Sequence, residues 1–410
     1  MSGDVIVTVT LNAALHVAYE VLAPGGTTPP RPPLLSFPGG PIPPDPPWEG
    51  LPAPPYPPYP PYPPGPAAPI SRPGYRAGGR GVTVARILHS FGHDVLAAGL
   101  AGGASGELII QDLARSGVPT AFTLIRGESR RFFRFSDPEP GGPALRFSEP
   151  GPYITTEELG RFAADYRRLL AGAAAVVLCG SLPDGLPADT YGSLVTYAAE
   201  AGVPVILDAG GEELKHAVGH GPDLVVAESD AAEAGTGGFG ATLIRLGAAA
   251  AAVAAGGQVR AVTGDGEWTA RLEPADAAGP DPAGTLGPAF KLGRGALVAG
   301  LVPGQLLGWS WPDRLRHALA LAAGGAGPWN SWTGAPAEAD ERDRVDLAAY
   351  ERLLDTVRVE PPGAGKSGEL LADHLECARV WIRLTKGRDP RPSRFPDPKL
   401  EWSNRRQMAN

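Results

Sequence analysis

Cysteine is nearly missing from this chain: Cys179 and Cys377 are the only two in 410 residues. So few thiols exclude a disulfide framework or a cysteine-rich structural zinc cluster. Nor does any apolar run approach the roughly 18–20 residues needed to cross a bilayer. The opening MSGDVIVTVTLN has an acid and strand-like alternation where a secretory leader needs basic residues and an apolar block. Positive charge is short as well: 36 Lys+Arg against 44 Asp+Glu leave a formal net charge of −8. That balance excludes the broad basic field that holds nucleic acid or a membrane surface. Lysine is scarce, 5 against 31 arginines, and with abundant Ala, Gly and Pro this reads as a GC-rich bacterial coding sequence. The expected class is a soluble cytoplasmic protein with neither nucleic-acid nor membrane partners.

What is present in excess is glycine and proline, 56 and 47 residues, close to the level at which low complexity is suspected. The excess is local. Residues 24–73 hold 23 of the prolines, including the Tyr-Pro-Pro repeat of 54–64. Proline fixes φ and donates no backbone hydrogen bond, so this segment cannot enter a sheet interior and reads as a polyproline II or disordered insertion. It is either a docking site for an aromatic-lined groove on a protein partner or a solvated insertion with none. Beyond residue 360 the composition shifts again. The extension 360–410 carries ten Lys/Arg and seven Asp/Glu. An amphipathic helix over 369–386, with Leu371, Leu375, Ala378 and Ile382 on one stripe, is its one regular pattern.

The remainder reads as alternating α/β. Val5, Val7 and Val9 alternate as a strand does, and 81–91 carries Val84, Ile87, Leu88 and Phe91 on one helical side. Thr155-Thr156-Glu157-Glu158 is a helix start signal for 155–170. The apolar runs 175–179, 203–207 and 224–226, with a helical stretch over 188–201, imply parallel strands under covering helices. Right-handed crossovers then gather the loops after the strands at one ligand-binding edge. Residues 120–125 and 131–135 read differently, as a hairpin around Arg126-Gly127-Glu128-Ser129 in a small separate sheet.

Several glycine-rich turns carry candidate chemistry. Gly363-Ala364-Gly365-Lys366-Ser367 falls short of a phosphate loop, because Glu360 stands where the pattern needs glycine. Gly78-Gly79-Arg80-Gly81 leads into one helix, and Gly293-Arg294-Gly295-Ala296 opens another over 297–307. Free N–H groups at a helix start suit an anion, and Arg294 adds a positive charge. The same glycines also serve as packing turns. Gly180–Gly185 and Asp208–Gly211 both follow strands, on the predicted ligand edge.

In order and spacing these pieces resemble the ribokinase/PfkB family of carbohydrate kinases, in particular its 1-phosphofructokinase and tagatose-6-phosphate kinase branch. Thr8–His16 resembles TVTLNPALD, Ala77–Arg86 resembles AGGKGINVAR, and Gly127–Arg130 resembles GETR. Gly180–Gly185 resembles GSLPPG, Asp208–Glu212 resembles DTSGE, and Leu292–Gly300 lies where VGAGDSFVAG is expected. Val345–Val359 resembles the closing helix and strand. The resemblance runs from about residue 4 to 359, interrupted by the proline segment. It implies one ribokinase-like domain, 1–359: a parallel sheet flanked by helices, with a small β lid drawn from about 17–22, 75–77 and 120–136. It further implies transfer of the ATP γ-phosphoryl, with Mg2+, to a sugar-phosphate hydroxyl, and a homodimer through the lid. Sugar or sugar-phosphate binding falls to Asn12, His16, Gly78, Gly79, Arg80, Gly81 and Arg130, and the anion hole for nucleotide phosphate to Gly293, Arg294 and Gly295.

The chain departs from that pattern where the chemistry lies. Ala296 stands at the position of the general base. Arg294 replaces a small residue of the anion-hole turn, where its bulk and charge occupy or cap the hole. His16 replaces the sugar-contacting Asp, Arg80 a Lys and Thr83 an Asn. Ala231 stands where an acid helps organise Mg2+, and Arg245–Ala251 replaces a glycine-rich nucleotide segment. The reading is therefore a non-catalytic homologue that keeps a site for a small phosphorylated ligand, with no intact catalytic residue and no metal ligand. One alternative is an active hexose-phosphate kinase whose base has moved to Glu228, Asp208 or Asp265. The other is an adaptor that binds a partner through the proline-rich insertion.

Overall fold

A computed structural model describes residues 5–21, 70, 72–136, 144–229, 238–255, 257–272, 292–325 and 347–360. Most of the proline-rich insertion, the phosphate-loop-like segment, the C-terminal helix over 369–386 and Ala231 lie outside the described residues. The elements in chain order begin with β1 (Val5–Thr10), β2 (Ala14–Glu20), β3 (Gly74–Gly78), α1 (Arg80–Ser90), β4 (Val95–Gly102), α2 (Gly103–Arg115) and β5 (Thr120–Ile125). Next come β6 (Arg130–Ser136), β7 (Ala144–Ser148), α3 (Thr156–Leu170), β8 (Ala173–Cys179), α4 (Thr190–Glu200), β9 (Val205–Asp208), α5 (Gly211–Val218) and β10 (Leu224–Glu228). The last are α6 (Phe239–Leu246), β11 (Ala250–Ala255), β12 (Gln258–Thr263), β13 (Glu267–Leu272), α7 (Arg294–Leu307), α8 (Trp311–Ala320), a π-helical turn (Leu321–Gly325), α9 (Leu347–Thr356) and β14 (Val357–Glu360).

Among these residues ten strands form one sheet in the order β14-β13-β12-β11-β10-β9-β8-β1-β4-β5. From β11 to β5 neighbouring strands pair in parallel, and β12, β13 and β14 extend the β11 edge as an antiparallel meander. The period of two explains how strands without polar faces pack. In β8, Ala175, Val177 and Cys179 face a core with Val84, Ile87, Leu297 and Leu301. Val176 and Leu178 face the opposite core with Phe162, Tyr166 and Leu194. A parallel strand covered by helices on both faces needs apolar side chains at every position.

The predicted start of α3 is present as a capping box. Glu158 N–H donates to Thr155 Oγ1 at 3.3 Å, and Thr155 N–H donates to Glu158 Oε2 at 2.9 Å. Glu158 Oε1 accepts a further bond from Arg126 N–H at 2.8 Å, which ties the helix start to the end of β5.

The second sheet has the order β3-β2-β6-β7. This four-stranded sheet is the expected lid, with one correction. Residues 120–125 do not pair with β6. They form β5, parallel to β4 at the edge of the large sheet, with Ala97 opposite Thr120 and Gly102 opposite Ile125. The reason is the right-handed crossover through α2, which returns the chain beside β4. Thr123 Oγ1 then bonds Asp165 on α3 at 2.6 Å. The lid's second hairpin strand is instead β7, antiparallel to β6. Val21 and Ile70 form an antiparallel bridge, so the two ends of the proline-rich segment leave and rejoin the lid side by side. Asp112 on α2 fastens the lid to the body: it accepts the Ala77 N–H of β3 at 2.6 Å and ion-pairs with the buried Arg86 of α1.

Candidate functional site

The C-terminal ends of β1, β8, β9 and β10 meet the starts of α1 and α7 and the inner face of the lid. Thr10 ends β1, and the following turn carries Asn12, whose side chain donates to Ser181 Oγ at 3.2 Å. Asn12 Oδ1 is buried without a hydrogen-bond partner. Arg130 opens β6 opposite Ala14 of β2 and donates from Nε to the Asn12 carbonyl at 3.3 Å. The residues before it hold it there. Glu128 accepts from the Ser105 and Ala104 amides in the first turn of α2, at 2.7 and 3.2 Å. Ser129 exchanges hydrogen bonds with Gly102 at 2.9 and 3.0 Å.

His16 of β2 faces the same space. Its ring lies 5.2 Å from Phe132, tilted at 41°. Burial, with Arg130, Arg76 and Arg86 nearby, pushes its pKa down to about 4, so the ring is neutral near pH 7. A Cβ on Gly78 would fall on this ring. Gly79 caps α1 at φ 121°, a left-handed value that favours glycine.

Thr10, Asn12, His16 and Gly79, with Arg80, Thr83, Arg130, Gly180 and Ser181, line a cavity of about 330 Å³. Four of the residues predicted for sugar binding thus share one cavity with Gly79, and Gly78 and Gly81 flank it. Thr10, Gly180 and Ser181 were not singled out for binding from the sequence. Their signal was position, because each ends or follows a strand on the predicted edge. None of the lining residues is a carboxylate.

The α7 start lies against α1: a Cβ on Gly295 would stand 3.0 Å from the Thr83 methyl. Gly293 caps α7 and donates its N–H to Ala322 at 3.0 Å. Ala296, in the first turn, is buried. The Arg294 side chain turns onto the sheet edge. Its Nε lies 2.6 Å from Asp208 Oδ1 as an ion pair, and Nη2 donates to the carbonyls of Ala209 and Val226 at 3.0 and 3.3 Å. Nη1 lies 3.9 Å from Glu228. Arg80 approaches the same Asp208 oxygen from the cavity side at 3.3 Å. Asp208 is wholly buried, and its Oδ2 has no hydrogen-bond partner. Burial raises its pKa, against the opposing pull of Arg294 and Arg80.

Two of the three alternative bases, Asp208 and Glu228, therefore sit around Arg294. The third does not. Asp265 is exposed in the β12–β13 turn. Thr263, the last residue of β12, pairs with Ala250, the first of β11, so Asp265 lies at the opposite edge of the sheet from the cavity.

Comparison with known proteins agrees with this architecture. Residues 60–267 match the family description "pfkB family carbohydrate kinase". The fold is similar to that of phosphofructokinase-2 from Escherichia coli in complex with fructose-6-phosphate, with 20% identity, 85% of this chain and 98% of that one covered, and TM-score 0.60. It is also similar to a "possible 1-phosphofructokinase" of Thermotoga maritima (21% identity, 87% and 99% covered, TM-score 0.59). A carbohydrate kinase from Agrobacterium tumefaciens matches at 17% identity, with 88% and 100% covered and TM-score 0.57. At these identities the likeness is one of fold. Among the described residues no helix is long and apolar enough to cross a membrane, and no cluster of three or more His, Cys, Asp or Glu is placed to hold a metal ion.

Proposed function

The chain belongs to the pfkB family of carbohydrate kinases, and from that membership we propose that it binds a small phosphorylated ligand, of sugar-phosphate type, with phosphoryl transfer from ATP impaired. The observation that carries this reading is the pairing at the α7 start: a buried methyl at Ala296 and the neighbouring Arg294 guanidinium spent on Asp208. Phosphoryl transfer is mostly positioning and charge neutralisation, yet the acceptor hydroxyl must lose a proton. A missing general base typically costs ~10²–10⁴ in rate. The cavity supports the binding half. Arg80 and Arg130 supply positive charge, Asn12 Oδ1 offers a free acceptor for a hydroxyl, and two helix starts add N–H groups.

In the proposed mode, Arg130 and Arg80 hold the phosphate, and Asn12 with Ser181 orients the hydroxyl-bearing carbons. His16, neutral against Phe132, gives an uncharged wall where a carboxylate would grip a diol. ATP, if it is used, is the phosphoryl donor and a substrate. A homodimer through the lid belongs to the same reading, supported by the exposed Tyr75, Leu145 and Phe147 on its sheet.

One observation favours a second reading. Asp208 is a buried acid with a raised pKa and an unpartnered Oδ2, the character a relocated base needs, and an active hexose-phosphate kinase is the reading it favours. A single assay separates the two. Purified full-length protein is given ATP with fructose 1-phosphate, fructose 6-phosphate or tagatose 6-phosphate, and ADP release is followed beside thermal melting. Stabilisation by a sugar phosphate without turnover is expected. Robust turnover abolished by Asp208→Asn or Glu228→Gln overturns the impaired reading in favour of the second.

A further inference from the structure

Phosphoryl transfer in this family implies a divalent cation, and the residues at the sheet edge do not fit one. Mg2+ needs near-octahedral oxygen ligands at about 2.0–2.1 Å and retains several waters. Here the converging oxygens already surround a cation that belongs to the chain. Asp208 Oδ1 at 2.6 Å, the Ala209 carbonyl at 3.0 Å, the Val226 carbonyl at 3.3 Å and Glu228 Oε2 at 3.9 Å all face the Arg294 guanidinium. They come from the ends of β9 and β10, two adjacent parallel strands. Two carboxylates and two carbonyls are the donor set that a hard cation takes. The Arg294 guanidinium meets these oxygens by ion pairing with Asp208 and N–H bonds to the two carbonyls, and it does not deprotonate in proteins.

We propose that Arg294 is a resident cation at this site, standing where a divalent metal ion would otherwise be held, so that anion binding by this chain is independent of Mg2+. The arginine is anchored at the start of α7, and its side chain is 21% exposed beside the more open Glu228. A dication in the same oxygen cage meets a fixed positive charge within contact range, in a setting where like charges repel strongly. Arg80 on Asp208 adds a second positive charge to the same carboxylate. The ligand class follows: an anion whose charge is met by arginines and helix N–H groups alone, such as a phosphate monoester, instead of a metal–polyphosphate complex. This deepens the ligand-binding reading above and rests on it for the identity of the anion.

The test uses the full-length protein and Mn2+ alone, followed by the electron paramagnetic resonance signal of the free ion at mildly alkaline pH. Wild type is expected to leave that signal unchanged. Arg294→Ala is expected to take up one Mn2+ per chain with an affinity raised at least about tenfold, and Arg294→Ala with Glu228→Gln to lose that gain. Arg294→Gln, which keeps length and donors without charge, replaces the alanine variant if the latter does not fold by circular dichroism. Mn2+ uptake by wild type equal to that of the variant overturns the proposal, as does a folded variant that takes up none. In parallel, inorganic phosphate should protect wild type against thermal unfolding equally in Mg2+ and in EDTA, and protection lost in EDTA overturns the resident cation. Absence of protection in both buffers overturns the ligand-binding reading instead, and leaves the Mn2+ arms to decide this one.

Discussion

Replacing Arg294 by alanine should expose the energetic strain that the wild-type side chain relieves. Asp208 has no solvent-accessible surface, and its carboxylate is met by two guanidiniums, Arg294 at 2.6 Å and Arg80 at 3.3 Å. Removing one partner of a buried pair typically costs about 3–5 kcal/mol, because a charge is left without compensation. Arg80 remains, which places the loss toward the lower end. Two N–H bonds to the Ala209 and Val226 carbonyls go as well, each worth about 0.5–1.5 kcal/mol. The expected total is about 4–6 kcal/mol, and at roughly 2–4 °C per kcal/mol for a body of this size the melting temperature falls by about 8–24 °C. The sign of its pH dependence follows from Asp208. Its pKa is raised by burial, so between the unfolded and folded values the native state holds more protons, and stability falls as pH rises through that window. Losing Arg294 widens the window upward, so the penalty should grow as pH rises above the usual carboxylate range. Asp208→Asn, harmful on its own, should largely rescue Arg294→Ala. Melts of wild type, both single variants and the double variant form the cycle. Additive losses, or an Arg294→Ala melt within about 2 °C of wild type, would refute the account of Arg294 as the partner that makes this burial tolerable.

The buried histidines give the opposite pH slope. Burial pushes His317, bonded to Tyr350, down to about 3 and His93 to about 4. Both are therefore neutral in the fold while the unfolded chain protonates near 6.5, so stability present above that value is lost as pH falls. Unfolding free energies from denaturant titration should drop by up to about 1.4 kcal/mol per pH unit per histidine below about pH 6.5, and a flat profile between about pH 7 and 5 contradicts it. Glu158→Ala removes the reciprocal cap of α3 and the acceptor for Arg126. Urea unfolding should show a loss of about 1–3 kcal/mol, and no loss would mean that the cap is not stabilising. Gly78→Ala places a methyl on the His16 ring. Phosphate protection should weaken about tenfold or more with the far-ultraviolet spectrum intact, and unchanged protection would remove His16 from the binding wall.

Local rules carried the sequence furthest where a single segment decides its own structure. Thr155 and Glu158 are three residues apart, and their cap follows from that spacing alone. The buried runs of β8, β9 and β10 are continuous because both faces are covered, which composition reveals directly. Thr120–Ile125 was misassigned for the opposite reason. Whether a short apolar run joins a lid or the edge of the main sheet depends on where the preceding helix returns it, and that information is not in the run. β7 was missed similarly, because it is a strand through its pairing with β6. At the candidate site, the glycine turns marked where the loops gather. They did not show that Arg294 reaches across to two strands.

That reach changes how the departures from the family pattern relate to one another. Taken singly, Ala296, Arg294 and the acids that remain look like independent losses. In the fold Arg294 brings Asp208 and Glu228 together, and Ala296 is buried in the same first turn of α7. Asp208 is a buried carboxylate at the end of β9, and a buried carboxylate requires a counter-charge, whether or not any reaction occurs. Arg294, the first residue of α7, supplies that charge from within the chain. Once it does, a carboxylate at the buried position 296 would need a counter-charge of its own, which Arg294, engaged with Asp208, does not supply. The order of substitution can thus be tested by reversal. Ala296→Asp alone should be poorly tolerated, with a melt lowered by burial of an acid without a counter-charge. Ala296→Asp with Arg294→Ala should regain stability when Mn2+ is added, since the oxygens that Arg294 met are then open to a cation. If the single variant is as stable as wild type, the two positions are not coupled.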